Sequence, residues 1–146
     1  MAQTNFRVVT DSTADLPAAW REKYDIEVVP LKVLFGNESF RDGVDLTNDE
    51  FFQKLESSNQ LPTTSAPSPG DFAAVYERLS KECDGVVSIH LGSNLSATCE
   101  SAHLGAQSVE GFPVHVIDSL SATMTIAFLA RTAAESADLE SAVRPV

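Results

Sequence analysis

Short runs of β-branched residues that stop at small polar ones, each followed by helical periodicity, constrain this chain more than any other feature. Phe6-Arg7-Val8-Val9-Thr10 stops at Asp11-Ser12-Thr13, and Gly85-Val86-Val87-Ser88-Ile89-His90-Leu91 stops at Gly92-Ser93-Asn94-Leu95-Ser96. Val114-His115-Val116-Ile117 stops at Asp118-Ser119. Helices are expected between them: from Pro17 to about Tyr24, from Ser68 through Leu79, from beyond Ser96 to about Gln107, and from roughly Ala122 to Ser136. Strands alternating with helices at this spacing predict an α/β fold with a mostly parallel sheet flanked by helices. Ile26 to Phe35, with Leu31, Val33 and Phe35 alternating, reads as one further strand region with a wet face, ending at a Gly36-Asn37 turn. Thr47 and Glu50 form a capping box for a helix that turns Phe51 and Leu55 inward. The polar tail from Asp138 to Val146 shows no sign of another strand.

With 146 residues, 43% of them hydrophobic and 21% charged, the chain can bury a core without metals or disulfides. A net charge of -11, from 21 acidic and 10 basic residues, argues against binding to a phosphate backbone, which needs clustered Lys and Arg. No polybasic tract points to an anionic membrane surface, and no apolar run reaches bilayer length, so no stable membrane insertion is expected. Met1 to Arg7 has no charged leader followed by an apolar run, and Cys83 and Cys99 make no CxxC pair. A reduced, cytoplasmic setting is the expectation.

The stretch Leu61-Pro62-Thr63-Thr64-Ser65-Ala66-Pro67-Ser68-Pro69-Gly70-Asp71-Phe72 crowds hydroxyls and prolines into a loop that starts a helix. Ser68 fits the N-cap, Pro69 the first turn and Asp71 the capping-box position. Phe72, Val75, Tyr76 and Leu79 follow at i, i+3, i+4 and i+7, so Thr64 and Ser65 precede a rigid base. In an open parallel sheet, ligands bind beyond the carboxyl ends of the strands, where helix N-termini add a partial positive charge. Hydroxyls placed there suit a small anionic group, although Ser, Asp and Asn serve equally well as ordinary caps. Ser96 sits at such a helix entrance, after the tight turn that Gly92 permits.

The chain has no G-x-S-x-G elbow, P-loop, G-x-G-x-x-G or H-E-x-x-H. His90, His103 and His115 are scattered without nearby cysteines or paired carboxylates, so no metal is expected. His90, inside a strand run, reads as a satisfied core or edge histidine. Asp42 and Asp45 lack the spacing of a calcium loop.

Several motifs together resemble the DegV family. They are Val8-Val9-Thr10-Asp11-Ser12-Thr13-Ala14-Asp15-Leu16-Pro17, Val28-Val29-Pro30-Leu31 and Phe40-Arg41-Asp42-Gly43-Val44-Asp45. Pro62-Thr63-Thr64-Ser65-Ala66-Pro67-Ser68-Pro69, Leu95-Ser96-Ala97-Thr98 and Val116-Ile117-Asp118-Ser119 follow in the right order. The resemblance implies a bacterial lipid-binding protein, not an enzyme, that holds one long-chain fatty acid such as palmitate in a tunnel between two α/β domains. It also implies a fatty acid kinase as partner, to which the carboxyl group is presented. Carried over by motif, Thr64 and Ser96 are the ligand residues, with Ser65, Ser93 and Asn94 shaping the same pocket; no cofactor is implied.

The sequence departs from the family pattern in two places. Ala97 stands where the family has a glycine after the binding serine, and Met124-Thr125-Ile126-Ala127 replaces a Met-Gly-x-Gly run. The family is also about twice as long, so residues 1–146 correspond to its N-terminal domain, with the C-terminal domain absent. The chain is therefore a fragment, a truncated product or a single-domain relative, expected to bind weakly or to form a homodimer that covers an exposed groove. Two competing readings go with these: a phosphoryl-transfer or sugar-phosphate enzyme of similar architecture with His90 as phosphoryl acceptor, and a degenerate interaction module.

Overall fold

The computed structural model describes residues 5–136 and 138–144. In chain order the elements are β1 (Phe6–Asp11), α1 (Ala18–Tyr24), β2 (Glu27–Val29), β3 (Lys32–Phe35), β4 (Glu38–Arg41) and α2 (Asn48–Ser57). After them come β5 (Thr63–Ser65), α3 (Pro69–Leu79), β6 (Gly85–His90), α4 (Thr98–Gln107), β7 (Val114–Asp118), α5 (Met124–Ala134) and α6 (Leu139–Val143). The main sheet has the order β2-β1-β6-β7 and is parallel throughout, with Val9 opposite Glu27, Val8 opposite Val87 and Ile89 opposite Ile117. The α/β architecture read from the sequence is thus present.

Parallel strands need covered faces, and β6 is buried at every position from Gly85 to His90. Side chains alternate across the sheet. Val8, Val87 and Ile89 face Ile126, Ala130 and Ala133 of α5, with Ala142 of α6 in the same cluster. Val9, Val29 and Val86 face Phe72, Tyr76 and Leu79 of α3 and Ala102 of α4.

Ile26 to Phe35 is two strands in two sheets rather than one. Pro30 has no N–H to give to a ladder, and the Leu31 N–H turns away to donate to Ser12 Oγ at 3.0 Å. Beyond that corner β3 pairs antiparallel with β4 and with β5, giving the order β4-β3-β5. Gly36 takes a positive φ of 58° in the β3–β4 turn, as the Gly-Asn pair predicts. Val33, Phe35 and Leu46 form a small core under this sheet, with Phe40 and Phe51 packed against it. The hydroxyl-rich stretch, read as loop, contains β5. Its three exposed residues are held by backbone pairing to β3, which side-chain patterning does not reveal. The final long helix begins at Met124, two residues later than expected, and part of the tail forms α6. Pro145 and Val146 lie outside the described residues, as do Met1 to Thr4.

Candidate ligand-binding site

Asp11 closes β1 and is fully buried. Its Oδ1 accepts the Thr13 N–H at 3.0 Å and the Thr13 hydroxyl, and its Oδ2 accepts the Leu91 N–H at 3.1 Å and lies 2.9 Å from His90 Nδ1. Burial pushes this carboxyl up, but the hydrogen bond from His90 and the electrostatic pull of that polarised N–H, with the Thr13 and Leu91 donors, carry it below the usual range. His90 Nε2 lies 2.6 Å from Ser88 Oγ, which is 2.7 Å from the Tyr76 hydroxyl. Phe72 also packs on the imidazole in a T-shaped arrangement, with ring centroids 4.9 Å apart. His90 is 0% exposed with both ring nitrogens engaged, so it is a satisfied core histidine and cannot act as the phosphoryl acceptor of an enzyme reading.

The loop from Leu91 to Ala97 leaves the end of β6. Gly92 donates its N–H to Ser121 O at 2.9 Å, and its carbonyl receives the N–H groups of Leu95 and Ser96. A Cβ at Gly92 would lie 2.6 Å from Asn94 Oδ1 and 3.0 Å from backbone atoms of Leu120 and Ser121, so only glycine lets the loops after β6 and β7 touch. Below them Asp118 Oδ1 accepts the N–H groups of Ser93 at 3.1 Å and Leu120 at 3.0 Å. The Ser93 side chain, then the Leu120 and Ser93 N–H groups, hold the Asp118 carboxyl below its ordinary range against desolvation.

Ser96 is half-buried. Its Oγ accepts the Thr98 N–H at 3.2 Å and lies 2.9 Å from Thr98 Oγ1. A hydroxyl has one donor and two acceptor positions, so with the Thr98 hydroxyl donating to it Ser96 has its own O–H available for a ligand. Ser93 and Asn94 are exposed on the same loop. Thr64 and Ser65 are exposed on β5, opposite Val33 and Lys32. Ser65 donates to Ala66 O at 3.3 Å, whereas the Thr64 hydroxyl makes no hydrogen bond among the described residues. Immediately after β5, Ser68 Oγ accepts the Asp71 N–H at 3.2 Å and Asp71 returns the bond at 2.8 Å, the capping box read from the sequence.

The site residues therefore fall into two groups: Ser93, Asn94 and Ser96 on the loop after β6, and Thr64 and Ser65 on the smaller sheet. No hydrogen bond among the described residues joins them, and no group of three or more His, Cys, Asp and Glu among those residues is arranged to hold a metal. Tyr76 and Ser88 were missed as partners of the site; the available signal was a lone serine inside an otherwise apolar buried strand. His103 and His115 are exposed.

Residues 5–145 match the model of the family described as "Uncharacterised protein, DegV family". Protein DegV of Bacillus subtilis is 40% identical over 131 residues, covering 90% of this chain and 47% of that protein. A crystal structure of DegV from the same organism, called a fatty acid binding protein, superposes with a TM-score of 0.90 at 36% identity, covering 96% of this chain and 51% of that one. A stearic acid-binding protein from Eubacterium ventriosum superposes with a TM-score of 0.82 at 33% identity, covering 94% and 50%. The chain spans about half the length of the curated relatives it matches. No helix among the described residues is long and apolar enough to cross a membrane.

Proposed function

This chain belongs to the DegV family, and on that premise we propose that it binds a long-chain fatty acid, with the carboxyl group held by the hydroxyls of Thr64 and Ser96. The likeness to the fatty acid binding DegV of Bacillus subtilis, at 36% identity over nearly the whole chain, carries the reading. Two features of the site support it. The Thr64 hydroxyl is exposed and has no hydrogen-bond partner among the described residues, on a strand braced by β3 and followed by the capped start of α3. Ser96 Oγ already accepts the Thr98 N–H, and its O–H is free for a ligand carboxylate whenever the Thr98 hydroxyl is the donor of their mutual bond.

The energetics suit such a ligand. Each buried methylene stabilises binding by roughly 0.8 kcal/mol, so an acyl chain supplies affinity in proportion to the length enclosed. A carboxylate taken out of water without partners is heavily penalised, and hydroxyl donors offset that penalty. Ser65, Ser93 and Asn94 line the approach to the same head group in this reading. Residues 1–146 act as the N-terminal domain of a cytoplasmic lipid carrier, whose other half completes the tunnel and which presents the carboxyl group to a fatty acid kinase.

Organic extraction of the purified protein followed by gas chromatography tests this. A co-purifying fatty acid is expected from the native chain, and Thr64→Val with Ser96→Ala is expected to lose it while the circular dichroism stays unchanged. Loss of two hydrogen bonds to a charged group, each worth about 1.5–3 kcal/mol, corresponds to a weakening of roughly a hundredfold or more. Acid retained by the double variant overturns the head-group assignment, and a native chain that neither carries a fatty acid nor binds a fluorescent one in titration overturns the function.

A further inference from the structure

We propose that Asp11 and His90 are positioning residues for this site: through the buried relay Asp11–His90–Ser88–Tyr76 they fix the loop carrying Ser96 relative to the helix that anchors Thr64. The relay is argued from the fully buried positions of all four residues and from its hydrogen-bond lengths of 2.9, 2.6 and 2.7 Å. Its placement for the ligand rests on the fatty-acid reading above.

The proton arrangement follows from elimination. Among the described residues the Tyr76 hydroxyl has Ser88 as its only partner, and no buried side-chain polar atom lacks one. If Ser88 donated to Tyr76, the tyrosine proton would be left unpaired in the core, at a cost in stability. Tyr76 O–H therefore donates to Ser88 Oγ, and Ser88 O–H donates to His90 Nε2. Nε2 is then bare, so the imidazole proton sits on Nδ1 and is donated to Asp11 Oδ2. Asp11 receives four donors in all, from Thr13 N–H, Thr13 O–H, Leu91 N–H and His90, as an ionised carboxylate can.

Each end of this chain of bonds holds one half of the site. Asp11 Oδ2 grips the N–H of Leu91, the first residue of the loop that carries Ser93, Asn94 and Ser96. At the other end Tyr76 belongs to α3, and Phe72, one turn earlier, packs its ring roughly perpendicular to that of His90. The same first turn carries the Ser68–Asp71 box, which caps α3 three residues after the Thr63–Ser65 strand ends. Gly105 of α4 packs against it closely enough that an added Cβ would lie 2.7 Å from Phe72 Cβ and 2.8 Å from Pro69 O. Asp11 and His90 are 79 residues apart, and only the pairing of β1 with β6 brings them together.

The test uses His90→Asn, whose amide keeps a donor toward Asp11 but falls short of Ser88, and the milder Tyr76→Phe. Val8→Ala, buried at the middle of β1, supplies a destabilised control outside the relay. The ¹⁵N spectrum of the native His90 ring is expected to show a protonated Nδ1 and a bare Nε2; a proton on Nε2 overturns the relay. Titration with a fluorescent long-chain fatty acid is expected to show binding weakened about tenfold in both relay variants and unchanged in Val8→Ala at matched unfolded fraction. Equal weakening in the control, or native affinity in His90→Asn, overturns the positioning role. If the native chain binds no fatty acid, the function falls separately and amide hydrogen exchange decides. Protection at Leu91 and at Asp71–Phe72 is then expected to drop together in His90→Asn, and loss at one end alone overturns the coupling.

Discussion

Gly105 leaves no room for a methyl group. An added Cβ would approach Phe72 Cβ at 2.7 Å, Pro69 O at 2.8 Å and Ala73 N at 3.0 Å, and two of those atoms are backbone that cannot swing aside. Alanine gains about 1 kcal/mol of helix propensity at such a position. Overpacking costs about 1–3 kcal/mol, and against rigid backbone the clash wins. Gly105→Ala is therefore expected to lower the urea midpoint, and an unchanged or raised midpoint would show that α3 shifts freely on α4. Asp11 makes a second prediction at this scale. Its carboxyl is lowered in the folded state, so its contribution to stability is full above the unfolded value of about 3.9 and is lost as pH falls through the folded value. Urea midpoints of the native chain should fall on acidification below about pH 4, and Asp11→Asn should be less stable at neutral pH with a flatter acid limb. A variant with the native acid limb would assign the loss to other carboxylates, such as Asp118.

At the level of elements, the capped start of α3 sets how firmly β5 is held. Ser68→Ala removes the side-chain acceptor of the Asp71 N–H and one of the two donors to its carboxylate, the Ser68 N–H remaining, and should cost about 1 kcal/mol, read as a shift in thermal midpoint. Faster amide exchange confined to Thr63–Asp71 is expected alongside it, whereas uniform acceleration across the sheet would separate the cap from β5. This cap was legible because Ser-Pro-x-Asp before an apolar i, i+3, i+4, i+7 run is a local pattern. The central strands were legible for the same reason, since β1, β6 and β7 are apolar runs with polar ends. The split of Ile26–Phe35 was not, because alternation continues across Pro30 while the chain changes sheet. β5 was hidden too: Thr63-Thr64-Ser65 buries nothing, and its strand character comes entirely from Lys32–Leu34 opposite. Ser96 could be placed at a helix entrance from Gly92 and the following alanines. Its partner relay could not be placed, since Asp11, Tyr76 and Ser88 meet His90 only through sheet register and the docking of α3.

On the scale of the whole molecule, two leucines flank the point where the loops after β6 and β7 touch. Leu95 is 61% exposed and Leu120 is 73% exposed, and both adjoin Gly92, the first through its N–H bond to the Gly92 carbonyl and the second through close backbone contact. Apolar groups this open at a strand-end site gain by being covered. A second copy of the chain would cover them at about 25 cal/mol per Å² of apolar surface. The net charge of -11 on each copy opposes that approach. The repulsion acts between exposed charges and is screened over about 8 Å at physiological ionic strength, whereas apolar burial is not screened. Self-association of the isolated chain should therefore strengthen with added salt, opposite to what paired charges would give. Sedimentation velocity is expected to show a dimer fraction that rises from low to physiological salt. Leu95→Ser with Leu120→Ser should abolish it, while the urea midpoint stays within about 0.5 kcal/mol, as for exposed positions generally. A dimer that weakens with salt, or one that survives the double substitution, would place the contact elsewhere on the acidic surface.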